Sequence, residues 1–375
     1  MKRIILIFST LLLLLSGASA YAQTGKDTAV LKATVLPYYP VDFVSYSDTN
    51  AYDKVTALLQ AGVIKGSPNT GGSVKLNPEG TMTRAEFFAM LVNAAELNSK
   101  APAPSFSDVQ AGAWYAEPIR IATSLGFAKG YPEGTFRPNS PITRAEMTAV
   151  MVSTFKNTVQ AEGKIITYTD LPINDWYTPA VQQAAKMGLL DEQPKNLFQP
   201  QAPAKRIDAM LMVYNALFHE SSALPNDWTL TNLVQDVMIE NYMGLNNKDF
   251  DRIANAAHTY ATGFFTQYLL LNSEGIASLT NDGNRVFLYF EGSPHAEIQL
   301  KADRYAMITV TGYTDVSRVI YPNGSVLTKK VPIEDTLYLR KKGNDWFVFG
   351  SKNGYLSIKE WLQPKATVSY RPAAK

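Results

Sequence analysis

The sequence predicts a multidomain chain, with an all-α part of three repeated helix pairs followed by an α+β domain with an antiparallel sheet. Three observations carry this. The phrases MTRAEFFAML at 82–91 and ITRAEMTAVM at 142–151 are nearly identical. Asp108, Trp114, Gly126, Phe136, Pro138 and Arg144 recur without a gap as Asp170, Trp176, Gly188, Phe198, Pro200 and Arg206, the mark of an internal repeat. Beyond residue 228 the repeat stops, and two helical stretches lead into strand-like runs.

Residues 1–22 read as a secretory signal. Lys2 and Arg3 precede an apolar stretch from Ile4 to Leu15, and small residues offer cleavage after Ala20 or Ala22. That stretch is shorter than the ~20 residues needed to span a bilayer, and no later stretch is apolar enough, so no transmembrane segment is expected. Cysteine is absent, which excludes disulfides, thiolate metal sites and thiol catalysis. Removing Lys2 and Arg3 from 35 basic residues leaves 33 against 33 acidic ones. With net charge near zero, no global field draws nucleic acid, and anion recognition has to be local. No metal or cofactor is expected.

After a linker at 23–45, the repeats are expected at 46–98, 104–158 and 165–220. Val55/Leu58, Ile119/Ala122/Leu125 and Val181/Ala184/Met187 mark the first helix of each pair. Phe87/Met90/Leu91, Met147/Val150/Met151/Phe155 and Ala209/Met212/Val213/Leu217 mark the second. Thr83 with Glu86, and Thr143 with Glu146, are capping boxes that start the second helix. In the third unit Lys205 and Asp208 replace them, so the box is lost. The first unit is the most divergent, and its counterpart of Asp108 is expected at Asp48, with the tryptophan position missing. One helix pair cannot bury its apolar face alone, whereas three stacked pairs can.

The run FSDV, WY, GYPEGTFRP, ITRAE closely resembles the S-layer homology module, and the resemblance covers roughly residues 46–220. It implies a pseudo-threefold helical prism that holds an exported protein non-covalently to a secondary cell-wall polysaccharide carrying pyruvylated sugars. The implied location is secreted, at the cell wall or cell surface. It also implies that the arginine of the TRAE phrase and the neighbouring loops line grooves between repeats.

The residues themselves agree with such a use. An arginine just inside a helix start opposes the helix dipole by a few tenths of a kcal/mol. As a functional choice it adds a planar fork to the free N–H groups of the helix start, suited to a ketal carboxylate. The candidate polysaccharide-binding residues are Arg84, Arg144, Arg206, Trp114, Trp176, Asp108, Asp170, Tyr131 and Gly130. Arg84 and Arg144 have a second use, pairing with an acid of a neighbouring repeat. Trp114 and Trp176 either stack on a sugar or pin the first helix to the core, and their place before a buried helix favours the core. Gly130 and Gly134 allow tight turns, and the third unit carries Glu192 and Asn196 instead. Arg144 is expected to matter most for binding, since its unit is the most complete, then Arg84, then Arg206.

Residues 228–362 contain the runs RVFLYFEG, HAEIQLKA, RYAMITVTGY, SVLTKKVPIEDTLYLRKK and DWFVFG, with an Asn-Gly hairpin turn in YPNGS, before a tail at 363–375. Helices leading into a strongly curved sheet with a Trp-bearing last strand resemble the nuclear-transport-factor-like cone fold. No nucleophile–base pair can be assembled there. His258 falls on a polar helix face, His295 at a strand start, His219 at a helix end, and Glu291 and Asp303 are unpaired candidates. The domain is therefore read as a binding domain of unassigned ligand, not an enzyme; the alternative is a hydrolase or isomerase site in the cone cavity. The polar stretch 219–228 is expected to separate independently folding parts.

Overall fold

The computed structural model describes residues 36–43, 49–69, 72–190 and 196–355. The expected signal, most of the linker, Asp48, Glu192 and the tail lie outside them. The repeat region holds helices α1 (Thr49–Gln60), α2 (Arg84–Ala94), α3 (Ala116–Ser124), α4 (Arg144–Phe155), α5 (Thr178–Lys186) and α6 (Arg206–His219). A two-residue ladder, β1 (Ser67–Pro68) with β2 (Val74–Lys75), fills the longer loop of the first unit.

The apolar positions read from the sequence are the core. Val55, Leu58, Ile119, Ala122, Val181, Ala184 and Met187 are buried, as are Phe87, Leu91, Met147, Met151, Phe155, Ala209, Met212, Val213 and Leu217. Leu125 departs from this: it caps α3 and is exposed. Thr83 and Thr143 each accept the N–H of the glutamate three residues on, while that glutamate accepts their own N–H, so both capping boxes are complete. The third unit keeps half of one, because Lys205 still donates its N–H to Asp208 at 3.3 Å.

The three units close on one another through their backbones. Ile142 N–H donates to Met82 C=O, Ala204 N–H to Ile142 C=O, and Met82 N–H to Ala204 C=O, at 3.0, 2.8 and 3.0 Å. A chain of three bonds that returns to its start requires the third unit to lie against the first. Hence the last unit has no free end to fray.

Beyond the repeats run α7 (Asp227–Asn247), α8 (Phe250–Tyr260) and α9 (Phe264–Asn281), three helices where two stretches were expected. The sheet that follows is an antiparallel meander of β3 (Arg285–Lys301), β4 (Tyr305–Ile320), β5 (Val326–Lys342) and β6 (Asp345–Ser351), in that order. The first two strand-like runs are one strand, interrupted between Gly292 and His295 by a bulge, so His295 lies within a strand and not at its start. A second irregularity follows Val310 on β4. Gly292 and Gly312 meet there at φ +105 and +84, where a Cβ on either would come within 2.6–2.7 Å of a carbonyl on the other strand. Bulges of this kind bend a strand, and two side by side curve the sheet.

The two parts share a core. Leu337, Tyr338, Leu339 and Arg340 are buried in succession, which a strand shows only when both faces are covered. One face packs on α7 and α9 through Leu337, Leu339, Ile308, Val237, Phe265 and Leu269. The other packs on the repeats: Tyr305 lies 5.0 Å from Phe218, and Tyr305, Tyr338 and Phe349 join the cluster of Phe87, Leu91 and Met151. Polar bonds cross the same boundary. Arg304 donates to Ala95 C=O and pairs with Glu220, Arg340 donates to Ala61 C=O and pairs with Glu96, and Ser351 N–H donates to Gln60 Oε1. The stretch 219–228 is not a loose hinge, since Asp303 accepts both the Ser222 and Ala223 N–H groups. The two parts therefore meet in a shared core, which is expected to couple their unfolding.

This packing has two measurable consequences. Calorimetry should show a single transition with equal calorimetric and van't Hoff enthalpies; two resolved peaks would restore the independent-domain expectation. Asp335, fully buried, accepts bonds from Ser351 Oγ and Asn353 N–H, and burial raises its carboxyl to about 6. With the folded value above the unfolded one, the folded state bears an ionisation cost that appears as pH rises from about 4 to 6 and is constant above. The stability of the parent relative to Asp335→Asn should thus be greater at pH 4 than at pH 7, by about 2 kcal/mol. Denaturant titration at the two pH values measures it.

Candidate functional site

The arginines at the starts of α2, α4 and α6 form a ring. Arg84 donates from Nε to Phe136 C=O at 2.9 Å and from Nη1 to Glu146 at 3.1 Å. Arg144 repeats this one unit on, to Phe198 C=O at 2.8 Å and Asp208 at 2.5 Å. Arg206 closes the circle, to Leu76 C=O at 2.9 Å and Glu86 at 3.1 Å. Each acid is the third residue of the next unit's second helix, so one carboxylate serves both the local cap and the neighbour's guanidinium. The pairing with a neighbouring acid, read from the sequence as the second use of these arginines, is what the structure contains.

The first two N–H groups of each helix start are already taken. Arg84 and Ala85 donate to Ser140 and Pro138 C=O, Arg144 and Ala145 to Ala202 and Pro200, and Arg206 and Ile207 to Gly80 and Pro78. The threonine caps take the third N–H in the first two units. An incoming anion therefore meets side chains, not a bare helix end, and that part of the expectation is corrected.

The aspartates shape loops. Asp108 accepts the N–H groups of Phe136 and Arg137, both at 2.7 Å, and Asp170 those of Phe198 and Gln199 at 2.8 and 2.6 Å. The counterpart in the first unit is Asp42, bonded to Leu76 and Asn77 across 34 residues where the others span 28; Asp48 was the wrong register. In all three units the second of these N–H groups belongs to a residue in the left-handed region, Asn77, Arg137 and Gln199 at φ +50 to +58. A carboxylate that grips two successive N–H groups holds this costly conformation in place. Asn196 takes Gly134's place in the third unit at φ +52, a conformation asparagine tolerates, which explains why the loop survives loss of the glycine.

Trp114 and Trp176 are not core residues. They are 63% and 65% exposed, and each sets its edge against the following tyrosine at 5.4 and 5.5 Å. Tyr177 and half-buried Tyr115 do the pinning expected of the indoles. Tyr131 lies over Arg84 at 5.1 Å and Arg137 at 3.9 Å and donates its hydroxyl to Glu146 at 3.1 Å. Gly130 is needed for space, since a Cβ would come within 2.1 Å of the Phe106 ring.

Two grooves beside the ring are cavities of different size. One, about 50 Å³, is lined by Arg144, Leu190, Phe198, Asp208, Leu211 and Met212. The other, about 460 Å³, is lined by Lys65, Glu86, Ala89, Asn93, Trp114 and Arg206 among others. The guanidinium side chains follow the same order, at 6% exposed for Arg84, 10% for Arg144 and 20% for Arg206. The third unit's arginine, expected to matter least for binding, is the most open of the three.

The C-terminal domain holds no assembled catalytic pair among the residues singled out in the sequence. His258 and His295 are exposed, as is His219 at the end of α6 outside this domain, while Glu291 pairs with Lys330 and Asp303 is spent on the backbone. Among the described residues no group of three or more His, Cys, Asp or Glu is placed to hold a metal. Likewise, no helix among them is long and apolar enough to cross a membrane.

The S-layer homology domain model matches residues 42–88, 105–148 and 167–210, so the chain carries three such repeats, the first starting at Asp42. An exoglucanase, XynX, of Acetivibrio thermocellus is 32% identical over 54% of this chain and 18% of its own length. A cellulosome-anchoring protein of the same species is 30% identical over 48% of this chain and 42% of its own, and a surface-layer 125 kDa protein of Lysinibacillus sphaericus 27% over 56% and 18%. The chain thus spans less than half the length of each. Among solved structures, Aln2 from a Streptomyces species aligns over 36% of this chain and 98% of its own at 15% identity, with a TM-score of 0.23, too low to assign a fold. The repeats and these relatives make this a protein of the cell wall or cell surface.

Removing a ring arginine strands a carboxylate and a carbonyl. Arg144→Ala should lower unfolding free energy by about 2–4 kcal/mol, within the range for breaking a largely buried pair. Arg206→Ala, at a wetter site, should cost less. Urea midpoints at constant m-value check both.

Proposed function

We propose that this chain anchors itself non-covalently to the cell wall by taking an acidic, pyruvylated secondary wall polysaccharide into grooves between its S-layer homology repeats. The observation that carries this reading is the ring itself. Three matched repeats closed on one another leave inter-repeat grooves, each flanked by an arginine at a helix start. Arg84, Arg144 and Arg206 supply positive charge along the groove walls. Trp114 and Trp176 present exposed indoles that can stack on sugar faces. Asp108, Asp170, Tyr131 and Gly130 set the shape of the loops that border the grooves.

The repeat region forms a pseudo-threefold prism, and the C-terminal domain is a nuclear-transport-factor-like cone presented on it. Because the sheet packs directly on α1 and α6, the cone is carried in a fixed orientation. The cone is a binding domain that adds no catalysis of its own. Support for this comes from its histidines, each of which faces solvent with no acid–base partner in reach of the bonds the structure shows.

Co-sedimentation tests the anchor. Purified protein should pellet with walls carrying the pyruvylated polymer and remain in the supernatant with walls from cells that do not pyruvylate it. Equal binding to both, or to peptidoglycan stripped of polymer, contradicts the reading.

A further inference from the structure

We propose that the three grooves are not equivalent, and that the one between the third and first units is the single glycan site of this chain, selective for a sugar bearing a carboxylate. This rests on the wall-anchoring reading and narrows it to one groove and one ligand charge.

The grooves can be compared position by position, because the ring repeats the same contacts. Between the second and third units, Leu211 stands where the first unit has Ala89, and the space shrinks to about 50 Å³. That is too little for a sugar ring, given that small-ligand sites run from roughly 300 to 1,000 Å³. Between the first and second units, Arg84 is the most enclosed of the three arginines, its side chain only 6% exposed. Its Nε, Nη1 and Nη2 donate to Phe136 C=O, Glu146 and Lys129 C=O, and the Tyr131 ring covers it.

The groove between the third and first units differs on each count. Its volume, about 460 Å³, falls within the small-ligand range, and Ala89 leaves the floor open. Arg206 uses Nε and Nη1 in the ring, and its Nη2 meets no partner among the described residues. Exposed Lys65 adds a second cation from the loop before β1. The facing acid, Glu86, is spent on both oxygens, one held by Arg206 and the other by the Thr83 cap. Two cations against one occupied carboxylate leave the groove one positive charge in excess, which favours an anion over a neutral sugar. Trp114 reaches in from the second unit as an exposed flat surface, and Met82, Met90 and Met210 give an adaptable apolar floor. Cationic fork, indole face and apolar floor together suit a sugar ring that carries a carboxylate on one edge. Lys65 and Ala89 were not visible as site residues in the sequence, because their role depends on a groove formed by all three units.

The test is isothermal titration of the full chain with fragments two or three repeats long of a pyruvylated wall polysaccharide, alongside the same fragments after acid removal of the ketal. One pyruvylated fragment should bind per chain, and the ketal-free fragment should bind at least about tenfold more weakly, the loss of one charge-assisted contact. Trp114→Ala and Lys65→Glu, both at exposed side chains, should each weaken binding by about tenfold or more with unchanged melting temperature. Two or three fragments per chain, or full binding in both variants, would overturn the groove assignment while leaving the anchor in place. Equal binding of the two fragments would overturn the carboxylate selectivity. If the parent binds neither fragment, the anchoring reading fails together with the site.

Discussion

A buried arginine that leaves one repeat and is satisfied by a carbonyl and an acid of the next is the interaction on which the rest depends. Each helix pair is too small to bury its own apolar face, and the chain has no disulfide to compensate. Closing three pairs into a ring buries the faces mutually, but closure also requires that every unit fix its distance and angle to the next. The guanidinium does this because its planar fork bonds a backbone carbonyl and a carboxylate in a defined geometry, which a lysine point charge cannot do. Placing it at a helix start costs a few tenths of a kcal/mol against the dipole. The acid it meets offsets that cost, and the same acid completes the next unit's capping box. One residue type at one position therefore solves local capping and global closure together.

The ring also decides which groove is left for a ligand. An arginine buried in closure has little to give a polysaccharide, and Arg84, with three donors bonded and its side chain 6% exposed, is in that state. Sequence divergence in the first and third units reads at first as decay. In the folded chain it has the opposite effect, because Lys65 and Leu76, on either side of the longer first-unit loop, line the opening at Arg206. The part of the C-terminal sheet around Leu337–Arg340, buried on both faces between its own helices and those of the repeats, packs the two parts of the chain against one another.

Much of this was legible in the sequence where a local rule governs it. The helix pairs followed from apolar spacing, the caps from Thr and Glu three residues apart, and the strands from alternation. What escaped depended on contacts between distant segments. Asp42 was missed for Asp48 because an aspartate that grips two N–H groups 34 residues away carries no local signature. Of the two uses open to the indoles the sequence favours the core, because a tryptophan ahead of a buried helix resembles an anchor, while the adjacent tyrosines take that place. The shared core was hidden by a polar junction whose backbone is tied down by Asp303, far along the chain. LYLR at 337–340 did carry a trace of it, since four successive large residues ending in arginine do not suit a strand with one wet face.

The claim that closure rests on the inter-repeat arginines is tested most directly by a double-mutant cycle between Arg144 and Asp208, comparing unfolding free energies of the parent, Arg144→Ala, Asp208→Ala and the double variant. The cycle isolates the pair from the packing each side chain also contributes. A coupling energy of about 1.5–3 kcal/mol, the range of a charge-assisted contact, is the expected result. Additive losses with coupling below about 0.3 kcal/mol, as for an exposed ion pair, would show that the ring does not hold the repeats together.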